Sequence, residues 1–297
     1  MNISEFENNF ETAYKLSCSY FKDVEKIRKI VLFIVIIIEC VILFLFYKFI
    51  IIITPHYQLL TKYSLYFIFI MWFVYFIAQK GIEWFAKINV MSYFLSSFGS
   101  LNWNFLEDII EKDKIKDSLI FPSFNLAEFY TRESISGFCN GNKFLISDIT
   151  LKKGTGIYSF PVFTGLAIDI GLNKKFDGTT IIVEKDFIPI TKLEPVKLED
   201  VDWLSKFNVY SDNQIEVRYI LNPSLMEQIK EIKETYKAKR IALSFKHNSV
   251  LVSLDLGKSF FEICSLLSKI EDKRKWRLLY FKIYQILKLS ELFNTKL

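Results

Sequence analysis

The chain has 297 residues, of which 51% are hydrophobic and 17% aromatic, with a formal net charge of +5 and four cysteines. Residues 90–263 carry a charge deficit of two and residues 264–297 a surplus of five, which speaks against nucleic-acid binding, since that favours basic residues spread over a folded domain. Cys18, Cys40, Cys139 and Cys264 lack the paired spacing of a disulfide framework or a zinc site and suit a reducing compartment.

Residues 1–30 place Phe6, Phe10, Tyr14, Leu16, Tyr20, Phe21, Val24 and Ile27 three and four apart, the pattern of an amphipathic helix that packs on a soluble domain or lies at an interface. Residues 31–53 are apolar apart from Glu39 and Lys48, and about 20 such residues span a hydrocarbon core. Residues 59–78 form a second apolar run, with Lys62 near its start. The link between them contains Pro55 and is so short that the two runs must be antiparallel, giving a two-helix transmembrane hairpin.

Lys22, Lys26, Arg28 and Lys29 precede the first run, and Lys80 and Lys87 follow the second. By the positive-inside rule both termini are expected in the cytoplasm, with the first run a retained anchor rather than a signal peptide. Glu39 falls at about the depth of Trp72 and Tyr75, whose N–H and O–H are donors suited to an intramembrane carboxyl. A hydrogen-bonded Glu39, contacting the partner helix or a second copy in a homo-oligomer, is the simpler reading; an ion pathway through an oligomeric pore is the sharper one.

Residues 79–120 read as a juxtamembrane helical connector, with Trp84 and Phe85 at headgroup level and a helix running to Gly99. Residues 121–297 read as one cytoplasmic α+β domain. Asn140-Gly141 predicts a tight hairpin, as does His247-Asn248 between RIALSF and SVLVSL. The β-branched and aromatic runs from 135 to 183, punctuated at Gly154, Gly156 and Gly178, predict an antiparallel meander. Ser211 and Gln214 have the spacing of a capping box, and Asn222-Pro223 restarts a helix that buries Leu225, Met226, Ile229 and Ile232. From Phe260 to Phe293 the chain reads as helical and carries the basic cluster Lys269, Lys273, Arg274, Lys275 and Arg277. This helix covers the sheet, or rests its basic side on anionic lipid headgroups.

The hairpin with its charged leading helix, FTGLAIDIGLNKKFDGTTIIVEKDF at 163–187, FNVYSDNQIEVRYILNPSLMEQI at 207–229 and the ending SELFNTKL together resemble the bacterial membrane-protein family called domain of unknown function 3137. The chain departs from that pattern at Asn222, where Thr is expected, and in lacking a final aromatic residue. Asn caps a helix as well as Thr does, so the resemblance implies the same architecture, and it implies no catalytic residue.

Catalytic constellations are sparse. His56 and His247 both fall in turns, without a nucleophile and an orienting acid beside them. Gly154 and Gly156 suit a tight turn better than a phosphate loop. Asp212 and Glu216, four apart, suit a cation less well than a solvated first helical turn. No catalytic, cofactor-binding or metal-binding residue is therefore assigned. The leading expectation is an inner-membrane module presenting an α+β domain to a membrane or cytoplasmic protein partner or to lipid. The alternatives are an enzyme built on the dispersed carboxylates Asp169, Asp212 and Glu216, or the hairpin pore.

Overall fold

The computed structural model describes residues 3–296 apart from 54–56, 140, 174, 190 and 263–264. The expected turn around Pro55 and His56, and Asn140 of the first hairpin, lie outside the described residues. The chain is mixed α+β and divides into two compact units: Met1–Phe94 with Glu262–Arg277, and Leu95–Phe261 with Leu278–Leu297.

The first unit is helical. Helix α1 (Ile3–Ile53) runs unbroken for 51 residues, joining what the residue pattern suggested as two elements, because no glycine or proline interrupts it. Helix α2 (Tyr57–Ser96) is likewise continuous through Gly81. The early part of α1 buries Phe6, Phe10, Ala13, Phe21 and Val24, and the late part of α2 buries Ile82, Ala86, Val90, Met91 and Phe94. Their rings meet around Trp276: Phe94 stacks on it at 5.4 Å, Phe21 approaches to 5.1 Å, and Phe10 lies 5.9 Å from Phe94.

Residues 265–271 are not helical, contrary to expectation, because side chains of α1 and α2 take their backbone groups. Arg28 donates to the Leu266 carbonyl at 2.6 Å, Gln79 accepts from the Leu266 amide, and Glu25 accepts from the Ile270 amide. Helix α7 (Lys273–Lys296) begins only after Asp272, whose carboxylate accepts from the Arg274 amide.

The second unit is built on a sheet of nine strands among the described residues: β1 (Ser100–Phe105), β2 (Phe129–Cys139), β3 (Asn142–Lys153), β4 (Phe160–Gly171), β5 (Thr179–Glu184), β6 (Glu194–Pro195), β7 (Phe207–Ser211), β8 (Arg240–Lys246) and β9 (Ser249–Asp255). Strand β1 falls in the stretch read as a helical connector. The order is β1-β2-β3-β4-β9-β8-β5-β7-β6, antiparallel throughout, with β1 and β6 as edges, so the sheet is open. The expected meander holds from β2 to β4 and then breaks, because the β8–β9 hairpin inserts between β4 and β5. The predicted turn between β8 and β9 forms, with Lys246 paired to Ser249 and His247 at φ 57°, and β2 and β3 pair as expected on either side of the first predicted turn, up to Cys139 and Asn142.

Alternation along the strands sends Leu145, Ile149, Ala167, Ile181, Ala242 and Leu251 to one face. Ile110, Ile115, Ile120 and Phe121, from the segment holding α3 (Lys112–Asp117), cover that face. The opposite face carries Ile146, Ile168, Leu243, Phe245 and Val252, all at most 1% exposed. There Phe245 meets Phe293 of α7 edge-on at 5.6 Å, beside α6 (Pro223–Tyr236) with its buried Leu225, Met226, Ile229 and Ile232. Asn222 caps α6, its side chain accepting from the Leu225 amide at 2.9 Å. The expected capping box at Ser211 does not form: Ser211 ends β7, and Asn213 caps α5 (Gln214–Ile220) by accepting from the Glu216 amide.

Candidate functional site

In the sheet unit, the end of β5, the junction of α4 (Val201–Lys206) with β7, and the last turns of α6 enclose a cleft of about 740 Å³. Lys185, Lys206, Lys230, Lys233 and Lys237 line it, with Glu184, Asp186, Glu234, Phe207 and Ala238. Lys230, Lys233 and Lys237 share one face of α6 through spacings of three and four. The helix ends at Lys237, which takes the left-handed conformation at φ 50°.

Glu184, largely buried, anchors the cleft wall. One carboxylate oxygen accepts from the Ile241 amide at 2.8 Å and the other from Lys233 Nζ at 2.6 Å. Lys230 Nζ stands 5.8 Å from the centroid of Trp203, which stacks on Phe207 at 4.2 Å. The buried indole N–H of Trp203 has no hydrogen-bond partner among the described residues. Lys185 donates to the Leu204 carbonyl. Among the described residues neither the Lys206 and Lys237 ammonium groups nor the Asp186 and Glu234 carboxylates have an ion-pair or hydrogen-bond partner, and the lining as a whole holds five lysines against three acids.

The carboxylates considered for catalysis are occupied elsewhere. Both oxygens of Asp169 accept from Lys114 Nζ at 2.7 Å. Asp212 accepts from the Thr179 amide at 2.6 Å, and Glu216 accepts from the amides of Asp177 and Gly178 at 3.1 Å. Asp212 and Glu216 thus clamp one turn of backbone, and Asp169 lies on a different strand from that turn. Among the described residues no group of three or more His, Cys, Asp or Glu side chains is placed to hold a metal ion.

The basic cluster of the closing segment is largely paired within the helical unit. Lys273 bridges to Glu11 at 2.5 Å, Arg277 to Glu7, Arg274 to Asp272 at 3.2 Å, and Lys275 donates to Ser268 at 2.7 Å, while Lys269 is exposed. The Arg277 guanidinium holds the Glu7 carboxyl below its ordinary value. Arg28 does the same for Glu25, a pair with side chains only 9% exposed.

In the apolar stretch Glu39 is half-buried, and the structure brings it no hydrogen-bond partner among the described residues. Trp72 stacks on Phe76 at 5.3 Å and tilts against Phe69 at 6.0 Å, so the suggested grouping of Glu39, Trp72 and Tyr75 is not assembled within one chain. The lysine cleft was the feature missed in the residue pattern. Its legible trace is the Lys230, Lys233, Lys237 spacing; Lys185 and Lys206 join it only through strand pairing.

No curated protein sequence matches the chain. Among solved structures, the crystal structure of the mycobacterial trehalose monomycolate transport factor A, TtfA, aligns with a TM-score of 0.38 at 11% identity, covering 71% of this chain and 95% of that one. A family model described as "Protein of unknown function (DUF3137)" matches residues 161–295, which run from the start of β4 almost to the end of α7. Over that segment, a little under half of its length, the chain is similar to this family.

Proposed function

We propose that the protein is a two-span membrane anchor presenting its sheet unit as a non-catalytic binding module for an acidic ligand. One observation carries the anchor: the most apolar 18-residue windows of α1 and α2 are each only 6% buried. Phe33, Phe44, Leu45, Leu65 and Ile68 are between 58% and 70% exposed, so nothing in the protein covers them. Bare apolar surface on this scale needs hydrocarbon around it rather than water. The positive residues flanking the two stretches favour cytoplasmic termini, in keeping with an inner-membrane location.

The lysine cleft supports binding, and the engagement of Asp169, Asp212 and Glu216 in structural bonds disfavours the dispersed-carboxylate enzyme. Alkaline carbonate washing of membranes from cells expressing the full chain tests the anchor. The protein is expected to stay in the pellet, and its quantitative release into the wash would end this reading.

A further inference from the structure

The turn between β3 and β4 differs in chemistry from the other predicted hairpin tips. Where β8–β9 turns through His247 and Asn248, the 154–159 turn and the first residue of β4 present Ile157, Tyr158 and Phe160 at 92%, 80% and 55% exposure. The shape of this tip is fixed. Gly154 has φ +93°, and a Cβ there would lie 2.5 Å from the Tyr158 carbonyl oxygen, so only glycine permits the close return of the chain. The Tyr158 amide donates to the Thr155 carbonyl and the Ser159 amide to the Gly156 carbonyl. The apolar side chains are thus held outward by a closed turn.

Charge surrounds the tip in a particular way. Lys152 and Lys153 sit at its base, and Lys152 Nζ lies 4.8 Å from the centroid of the exposed Tyr130 ring. The neighbouring acid, Glu128, accepts from the Tyr130 hydroxyl at 2.9 Å. An apolar point carrying two aromatics, with lysines behind it, matches the layering of a bilayer surface: acyl boundary, headgroups, anionic phosphate. Protein interfaces, by contrast, are depleted of lysine at their cores.

We infer that the β3–β4 tip is a second membrane contact, inserting Ile157, Tyr158 and Phe160 into the headgroup region of an anionic bilayer while Lys152 and Lys153 meet lipid phosphate. This rests on the proposed anchoring, which brings the sheet unit to a bilayer. The test uses the full chain in nanodiscs of phosphatidylcholine alone, or of phosphatidylcholine and phosphatidylglycerol in a two-to-one ratio. Cys18, Cys40, Cys139 and Cys264 are replaced by serine, and an environment-sensitive fluorophore is placed at Ile157→Cys or, as control, at Val201→Cys, which is 78% exposed and remote in sequence.

In anionic discs the label at 157 is expected to shift to shorter wavelength and to be quenched by doxyl lipid, with the control unchanged and Lys152→Glu/Lys153→Glu reversing the shift. Hydrogen exchange over residues 154–160 of the unsubstituted chain, which needs no cysteine replacement, should slow in the same discs. A label at 157 that iodide quenches equally in both disc types, or exchange that is the same in both, would overturn the tip contact while leaving the anchor intact. A chain that does not stay with the discs at all would overturn both.

Discussion

Residues 4–28 and 33–50 lie on one continuous helix, yet they treat their apolar side chains in opposite ways. In the first stretch a stripe repeating every three to four residues is buried and the exposed side mixes polar residues with a few apolar ones: Phe10 is fully buried, while Lys15 and Lys22 are exposed along with Leu16. In the second the side chains are apolar all round apart from Glu39 and Lys48, and Val35 is the buried one among the described side chains from 30 to 50. The helical backbone is the same in both; what changes is the solvent the sequence calls for. An amphipathic stripe is satisfied by protein on one side and water on the other, whereas an all-apolar surface is satisfied by lipid.

The largest effect that sharpens this contrast is expected from the two tryptophans. Trp276→Ala removes a ring that is 1% exposed, touches Phe21 and Phe94, and donates from Nε1 to the Ile270 carbonyl. It should cost about 3–5 kcal/mol, read as a lowered unfolding midpoint in detergent solution. Trp72→Ala, at a residue 56% exposed, should stay within about 0.5 kcal/mol in the same assay.

Lysine substitution divides the two stretches more directly. Ile37→Lys should disfavour membrane insertion of α1 by about 2.5–3.5 kcal/mol in a glycosylation-mapping assay. Leu16→Lys, at a residue 57% exposed on the polar stretch, should leave insertion unchanged. Equal insertion of the two variants would break the comparison. In the sheet unit, Asn222→Ala removes the cap on the Leu225 amide and should lower thermal stability by about 1 kcal/mol.

The smallest effect lies in pH dependence. Arg28 holds the Glu25 carboxyl below its ordinary value in the folded chain. The pair's contribution is therefore complete above the ordinary glutamic acid range and is lost as pH falls through the lowered folded value. Acid titration of the unfolding midpoint should be steeper for the native chain than for Glu25→Gln.

Much of the local structure was legible because its causes are local. Asn222 followed by Pro223 favours a helix start through its own cap and ring geometry, and the Asn140-Gly141 and His247-Asn248 pairs favour tight hairpin turns by their own backbone preferences. What could not be read depends on partners far along the chain. The β8–β9 hairpin enters between β4 and β5 because Ile168 pairs with Val252 and Ile182 with Leu243, a choice no window of residues reveals. The non-helical run 265–271 exists because Arg28, Glu25 and Gln79 capture its backbone, and the expected lipid-facing cluster is largely paired because Glu7 and Glu11 lie within reach. For the candidate site, the charge of the α6 face was visible in its spacing, but the buried Glu184 that braces Lys233 was not.

Cys40 offers the most direct measurement. It lies in the apolar part of α1 and its side chain is exposed, so the protein itself gives it no cover. With Cys40 kept as the single cysteine and the chain in native membranes, a water-soluble maleimide is expected to leave it unmodified, because a thiolate does not form in hydrocarbon. A Ser19→Cys variant on the exposed part of the same helix should react readily. Labelling of Cys40 at the rate of that reference thiol would mean that water, not lipid, surrounds the apolar half of α1.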